Sequence, residues 1–91
     1  MIVEFRASAV ADLDAIVAWY DDVAPASTSR ILSDIERSIE QLRHFPRSGS
    51  PVGRHELRRI VTLRYHFKIS YLILADVIQI VGIFRFQDRT A

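Results

Sequence analysis

The chain has 91 residues, of which 49% are hydrophobic and 25% charged, and it has no cysteine. That allows one domain with one modest core, burying somewhat over ~60% of its unfolded surface, and excludes a disulfide framework or a thiolate metal site. The net charge of +1 hides a division. Residues 1–42 hold three basic residues (Arg6, Arg30, Arg37) against eight acidic ones, giving −5, and residues 43–91 hold nine against three, giving +6. A basic half of this kind is either an ordinary solvated surface or a surface that meets nucleic acid or an acidic protein segment. No window approaches ~18 consecutive apolar residues, so no membrane span is expected. The opening MIVEFRAS carries an acid at its fourth position and no apolar run of signal-peptide length, so the expected location is the cytoplasm.

In chain order, residues 2–6 form a short β-prone run suited to an edge strand. Ser8 is a candidate N-cap for a helix over about 8–22, in which Val10, Leu13, Ile16, Val17 and Tyr20 recur at helical spacing. Asp12, Asp14, Asp21 and Asp22 lie off that stripe and are expected to face water. Pro25 stops this helix and can open the next, over about 25–44. There Ile31, Leu32, Ile35, Ile39 and Leu42 form the apolar stripe, and Asp34, Glu36, Arg37 and Glu40 are expected in solvent. Residues 46–55, rich in proline and glycine, read as a loop.

Strands are expected at about 57–63, 66–74 and 77–86, with Arg58 and Arg59 pointing to opposite faces. The last two make a hairpin turning at Ala75-Asp76. Pairing 73 with 78, 71 with 80, 69 with 82 and 67 with 84 collects Phe67, Ile69, Tyr71, Ile73, Ile78, Ile80 and Phe84 on one core face. The other face then carries Leu72–Gln79, Ser70–Val81, Lys68–Ile83 and His66–Arg85. The order strand, helix, helix, strands predicts a single α+β domain over 1–91. An antiparallel two-helix hairpin packs on one face of a small, mainly antiparallel sheet.

No phosphate-binding glycine loop, nucleophile elbow or HExxH stretch is present, and neither a cofactor nor a metal is expected. His44, His55 and His66 lack ligand spacing. Asp12 and Asp14, two apart on a helix, do not share a face and read as solubilising charges. Trp19 reads as a packed or partly exposed aromatic. The constellation that survives is His66, Lys68 and Arg85 on the open hairpin face, with Arg58 and Arg64 nearby. Such a group could cleave RNA without metal: a base takes the 2′-hydroxyl proton and cations hold the developing phosphorane charge. On pattern alone, a solubilised sheet face or an acidic partner peptide accounts for these residues better.

Taken together the chain resembles the toxins of bacterial type II toxin–antitoxin systems, in the RelE/ParE superfamily, from Ile2 to Asp88. The resemblance lies in the opening strand with Ala9, Asp12 and Leu13, then Ile16 and Tyr20, then Pro25, Ile35, Ile39 and Leu42. It continues through Phe45-Pro46, Gly49, Glu56-Leu57-Arg58, Arg64-Tyr65, Phe67-x-Ile69-x-Tyr71 and Ile80-x-x-Ile83-Phe84 before Gln87-Asp88. It is closer to the ParE branch, whose members act on DNA gyrase. The resemblance therefore implies a gyrase-inhibiting toxin that need not be an enzyme, with Arg58, Arg64, Lys68, Arg85 and Arg89 as candidate target contacts. It also implies a cognate antitoxin with a DNA-binding N-terminal domain, in a hetero-oligomer, with Trp19, Tyr20, Ile31, Ile35, Leu57 and Arg59 as candidate contacts. The RelE branch supplies an alternative: a ribosome-dependent endoribonuclease acting on messenger RNA, using Lys68, Arg85 and His66. A non-toxic module that only binds an antitoxin is a second alternative.

Overall fold

A computed structural model describes residues 1–53 and 56–85. The elements are β1 (Ile2–Phe5), α1 (Ala7–Val23), a 3-10 turn (Pro25–Ser27), α2 (Thr28–His44), β2 (Ser50–Pro51), β3 (Arg58–Val61), β4 (Lys68–Leu74) and β5 (Val77–Phe84). The strands form one sheet in the order β1-β5-β4-β3-β2. Its pairings are antiparallel except β1 with β5, which is parallel. The expected α+β architecture is therefore present. Residues 46–55, taken from sequence as loop alone, contain the short edge strand β2 at Ser50–Pro51.

Both helices lay apolar side chains on the same face of the sheet. Ile31, Ile35, Ile39 and Leu42 of α2, with Ala9 and Ile16 of α1, meet Phe67, Ile69, Tyr71, Ile78, Ile80 and Ile83 in one cluster. Each such branched or aromatic side chain contributes about 1.5–3 kcal/mol by leaving water. The second helix does most of this work. In α1 only Ala9 and Ile16 are fully buried, and Val10, placed on the stripe by spacing, is 46% exposed. Thr28 Oγ1 donates to Asp21 Oδ1 at 2.7 Å and ties the two helices together across their turn.

The β4–β5 register departs from the expected one halfway along. Leu74↔Val77, Ile73↔Ile78, Leu72↔Gln79 and Tyr71↔Ile80 pair as anticipated, and then the ladder shifts to Ser70↔Gly82, Ile69↔Ile83 and Lys68↔Phe84. The extra residue is Val81, a bulge on β5. The gain is in packing. Ile83, 2% exposed, fills the core where an unshifted strand would have put Gly82. Gly82 instead lies under the Phe84 ring, where an added Cβ would come within 2.8 Å of that ring. Phe84 is thus opposite Lys68, not on the core face.

Polar side chains complete the edges. Beyond the end of β1, Arg6 N donates to Ile80 O at 2.9 Å, Ser8 Oγ donates to Val81 O at 2.7 Å, and Asp12 Oδ2 accepts from Ile83 N at 3.0 Å. Ser8 and Asp12, one helical turn apart, continue along β5 where strand β1 stops. Neither plays its expected part. Ser8 is not the cap, since the helix begins at Ala7 behind Arg6 with no side-chain cap, and Asp12 is no mere solubilising charge.

Asp34 is likewise buried, at 6% exposure, and does not face water. Its carboxylate accepts from Arg64 N at 3.1 Å and Tyr65 N at 2.8 Å, holding the β3–β4 turn against α2. Thr62 closes that turn: its N donates to Phe67 O at 2.8 Å and its Oγ1 accepts from Phe67 N at 2.9 Å. His66 takes the left-handed conformation there, at φ 60°. Burial pushes the Asp34 carboxyl upward, but hydrogen bonds from Thr62, Tyr65 and Arg64, with the charge of nearby His66, outweigh it and hold the group below its ordinary value.

A depressed carboxyl contributes stability that is present above its unfolded pKa of ~3.9 and lost as pH falls through the folded value. Asp34→Ala should cost about 2–3 kcal/mol at pH 7, because two backbone amides lose a charged acceptor. Urea unfolding of both proteins at pH 7 and pH 3 checks this: the gap should narrow at the lower pH.

Candidate partner-binding groove and basic faces

The loop after α2 is shaped by one tyrosine and one arginine. Tyr71 is fully buried in the centre of β4. Its hydroxyl donates to Pro46 O at 2.7 Å and accepts from Gly49 N at 2.9 Å. Burial raises its pKa, while the Gly49 amide and the Arg58 charge act in the opposite direction. Gly49 has to be glycine, since a Cβ would sit 2.5 Å from the Tyr71 hydroxyl. Opposite Tyr71 on β3, Arg58 Nη1 donates to Gly49 O at 2.7 Å and Arg47 O at 3.2 Å. The loop so fastened brings Ser50 and Pro51 alongside Arg59 and Arg58 as β2.

Between α2 and the β3 side of the sheet runs an open groove of about 940 Å³. Arg30 and Arg37 of α2, Arg59 of β3 and Arg64 of the following turn are its cations, and Phe45, Ile60, Val61 and Leu63 its apolar lining. Leu63 is 89% exposed and Phe45 64%. The two carboxylates of the wall are engaged. Asp34 holds the Arg64 and Tyr65 amides, and Glu40 lies 3.8 Å from Arg43 and 3.6 Å from His44. Arg59 Nε is buried with no hydrogen-bond partner among the described residues.

A smaller cleft of about 270 Å³ lies between α1 and the end of β5, lined by Asp12, Ala15, Ile16, Trp19, Tyr20, Ile83, Phe84 and Arg85. The Arg85 guanidinium lies over the Trp19 ring at 5.0 Å, within cation–π range. Trp19 meets Tyr20 edge to face at 4.8 Å, and Tyr20 meets Phe67 at 6.3 Å. The half-exposed tryptophan is thereby coupled to the core.

The expected His66, Lys68 and Arg85 cluster is not gathered on one face. Lys68 stands on the open face opposite Phe84. His66 acts electrostatically on Asp34 under α2, and Arg85 lies on Trp19 of α1. For Arg85 the bulge at Val81 is the cause, because it exchanges the faces of every β5 residue after it. Arg58 is held by loop carbonyls. Arg64 is exposed at the groove, 5.7 Å from the Tyr65 ring, and Arg89 falls outside the described residues.

Of the candidate antitoxin contacts, Trp19 is 46% exposed and Tyr20 partly so, Leu57 is half-buried, and Arg59 lines the groove. Ile31 and Ile35 are core residues at 1% and 2% exposure, so neither offers a surface. The α2 stripe is consumed by the sheet. Arg30, Arg37, Phe45 and Leu63, which do form surface here, were not singled out from sequence. Their signal was positional, the polar side of α2 and the two ends of the segment it packs along.

A family model described as the ParE toxin of the type II toxin-antitoxin system, parDE, matches residues 3–90. The chain belongs to the ParE toxin family. Among solved structures it is similar to a chain of the chromosomal ParDE TA system from P. aeruginosa, with a TM-score of 0.82 and 26% identity, over 96% of this chain and 97% of that one. It is also similar to a chain of the intact E. coli RelBE toxin-antitoxin complex, with a TM-score of 0.65 at 9% identity over 96% and 98% of the two chains, which shows the shared fold alone. Curated protein sequences give no significant match. Among the described residues of this ParE-family chain no helix is long and apolar enough to cross a membrane.

Tyr71→Phe should lower stability by about 1–3 kcal/mol, leaving the Gly49 N–H and the Pro46 carbonyl without their partner. Arg58→Ala should act more locally, freeing the loop carbonyls and speeding tryptic cleavage after Arg47. Urea unfolding and timed proteolysis of the two variants separate these effects.

Proposed function

We propose that this chain is the toxin of a type II toxin–antitoxin pair, that it inhibits DNA gyrase by protein–protein contact, and that a cognate antitoxin neutralises it in the cytoplasm. The observation that carries the reading is the ParE family match over nearly the whole chain. The fold likeness to a ParDE chain at 26% identity supports it. The target-facing candidates are the exposed Arg64 and the half-buried Lys68 on the open sheet face, with Arg85 at the α1 edge and Arg89 in the C-terminal segment. Arg58, held by two carbonyls, is better assigned to shaping the loop. The antitoxin would carry a DNA-binding N-terminal domain and form a hetero-oligomer with the toxin.

Ribonuclease chemistry needs base, acid and phosphate-binding cations around one phosphodiester. Lys68 stands on the open face of the sheet and Arg85 on the α1 side, which speaks for the gyrase reading over the endoribonuclease one.

Pulse labelling of nascent DNA and protein within minutes of inducing the chain in a bacterial host tests the proposal. Early loss of DNA synthesis with translation intact is the expected result, followed by inhibition of supercoiling by purified gyrase. Early loss of protein synthesis would overturn it in favour of ribosome-dependent cleavage. Unchanged growth with accumulating protein would leave antitoxin binding as the chain's role.

A further inference from the structure

We propose that the groove between α2 and the β3 side of the sheet is a binding site for a nucleoside polyphosphate. Arg30, Arg37 and Arg64 hold its phosphate chain, and Phe45 stacks on its base. A nucleotide held here needs neither gyrase nor an antitoxin, so the site stands apart from the function proposed above.

The cations are brought together by a carboxylate that is itself engaged. Arg30 and Arg37 are seven residues apart, two turns of α2, and so lie on one side of the helix about 10 Å apart along its axis. Asp34 lies between them, and its Oδ1 accepts from Arg64 N at 3.1 Å. That bond sets the β3–β4 turn against the middle of the helix and brings Arg64 to the gap between the two α2 arginines. The other Asp34 oxygen accepts from Tyr65 N at 2.8 Å. All three arginines are exposed, and all three line the groove. The second carboxylate of the wall, Glu40, lies 3.8 Å from Arg43 and 3.6 Å from His44. Arg59 borders the groove from β3, with its Nε buried and without a hydrogen-bond partner among the described residues. Ser29 and Ser33 of α2 add hydroxyl donors to the same wall.

Charge density selects the class of ligand. A single carboxylate brings one negative charge. A chain of phosphates brings at least one on each phosphorus, with oxygens that a guanidinium takes two at a time. Three arginines converging from helix and turn, with a fourth beside them, match such a chain. Volume agrees. The groove, at about 940 Å³, lies within the ~300–1,000 Å³ of small-molecule sites, and the 270 Å³ cleft beside α1 falls below it. Phe45 follows Arg37 by eight residues, about 12 Å along α2, which leaves room for a ribose between phosphates and ring. Its ring is 64% exposed and offers a face for stacking. Among the lining residues the aromatic rings are Phe45 and its neighbour His44. That is a platform for one base and not for a row of them, which favours a nucleotide over a nucleic-acid strand.

The test is titration calorimetry of the purified full-length chain with ATP, inorganic triphosphate and a single-stranded oligonucleotide, with EDTA present. The variants are Arg30→Gln/Arg37→Gln, Phe45→Ala and, at the opposite edge of the sheet, Arg6→Gln. All four positions are exposed, and far-UV circular dichroism checks that each variant is folded. The expected result is saturable ATP binding that weakens at least about tenfold in the double variant and about tenfold in Phe45→Ala, and is unchanged in Arg6→Gln. Inorganic triphosphate should bind wild type more weakly than ATP does, and should not distinguish wild type from Phe45→Ala. No saturable ATP binding by folded wild type would overturn the site, as would equal binding by wild type and the double variant. Inorganic triphosphate bound as tightly as ATP, with Phe45→Ala without effect, would overturn the nucleoside assignment. An oligonucleotide bound more tightly than ATP, and lost in the same variants, would overturn the nucleotide in favour of a strand.

Discussion

One inserted residue governs the geometry of the sheet. Up to Tyr71↔Ile80 the β4–β5 ladder keeps a regular register, and beyond it Val81 is extra and Ile69 faces Ile83. The driving force is the filling of the core. A branched side chain buried at position 83 is worth about 1.5–3 kcal/mol more than the bare glycine that the unshifted register would have placed there. The consequence reaches further than packing. Phe84 moves to the open face beside Lys68, and Arg85 moves to the side of α1, where it rests on Trp19. A strand of period two carries any local slip to its end.

Around that sheet, several charged and polar side chains complete what a small domain cannot complete with backbone alone. β1 is only four residues long, so Ser8 and Asp12 of α1 finish the edge of β5. The β3–β4 turn has two amides that no strand reaches, and Asp34 accepts from both. The loop from Pro46 to Gly49 is fastened by the Tyr71 hydroxyl and the Arg58 guanidinium. Buried polar groups are tolerated here because each one bonds to backbone that would otherwise lack a partner. These residues would look like site residues if type and spacing were the only guide.

The architecture was legible in the sequence because periodicity reports it directly. The α2 stripe and the alternation of β4 predict elements that the structure contains, and the first four pairs of the hairpin follow from alternation and turn position. Three things were not legible, each for a physical reason. The bulge needs knowledge of which residue fills the core, and local alternation around Gly82 is ambiguous. The two-residue β2 has too little chain for any period, and exists because Tyr71 and Arg58 hold the loop before it. Asp12 and Asp34 look like surface charges on a helical wheel, since their partners are backbone amides more than 25 residues away in sequence, at separations of 71, 30 and 31.

The division of charge along the chain also acquires a spatial meaning. Four of the eight acidic residues of the first half are drawn into contacts with the chain's own groups. Asp12 and Asp34 are drawn into backbone bonds, Asp21 into the helix turn, and Glu40 toward Arg43 and His44. The basic residues of the second half are less fully absorbed. Arg58 is held in the loop, but Arg59 and Arg64 turn toward the groove and meet Arg30 and Arg37 from the nominally acidic half. The helix therefore adds cations to the same place as the sheet, and withdraws its nearest carboxylate, Asp34, to hold the turn. A groove whose acids hold other partners and on which four arginines converge will favour an anionic occupant even though the molecule as a whole is close to neutral. Placement relative to the backbone, more than net charge, gives the α2–β3 side of the domain its character.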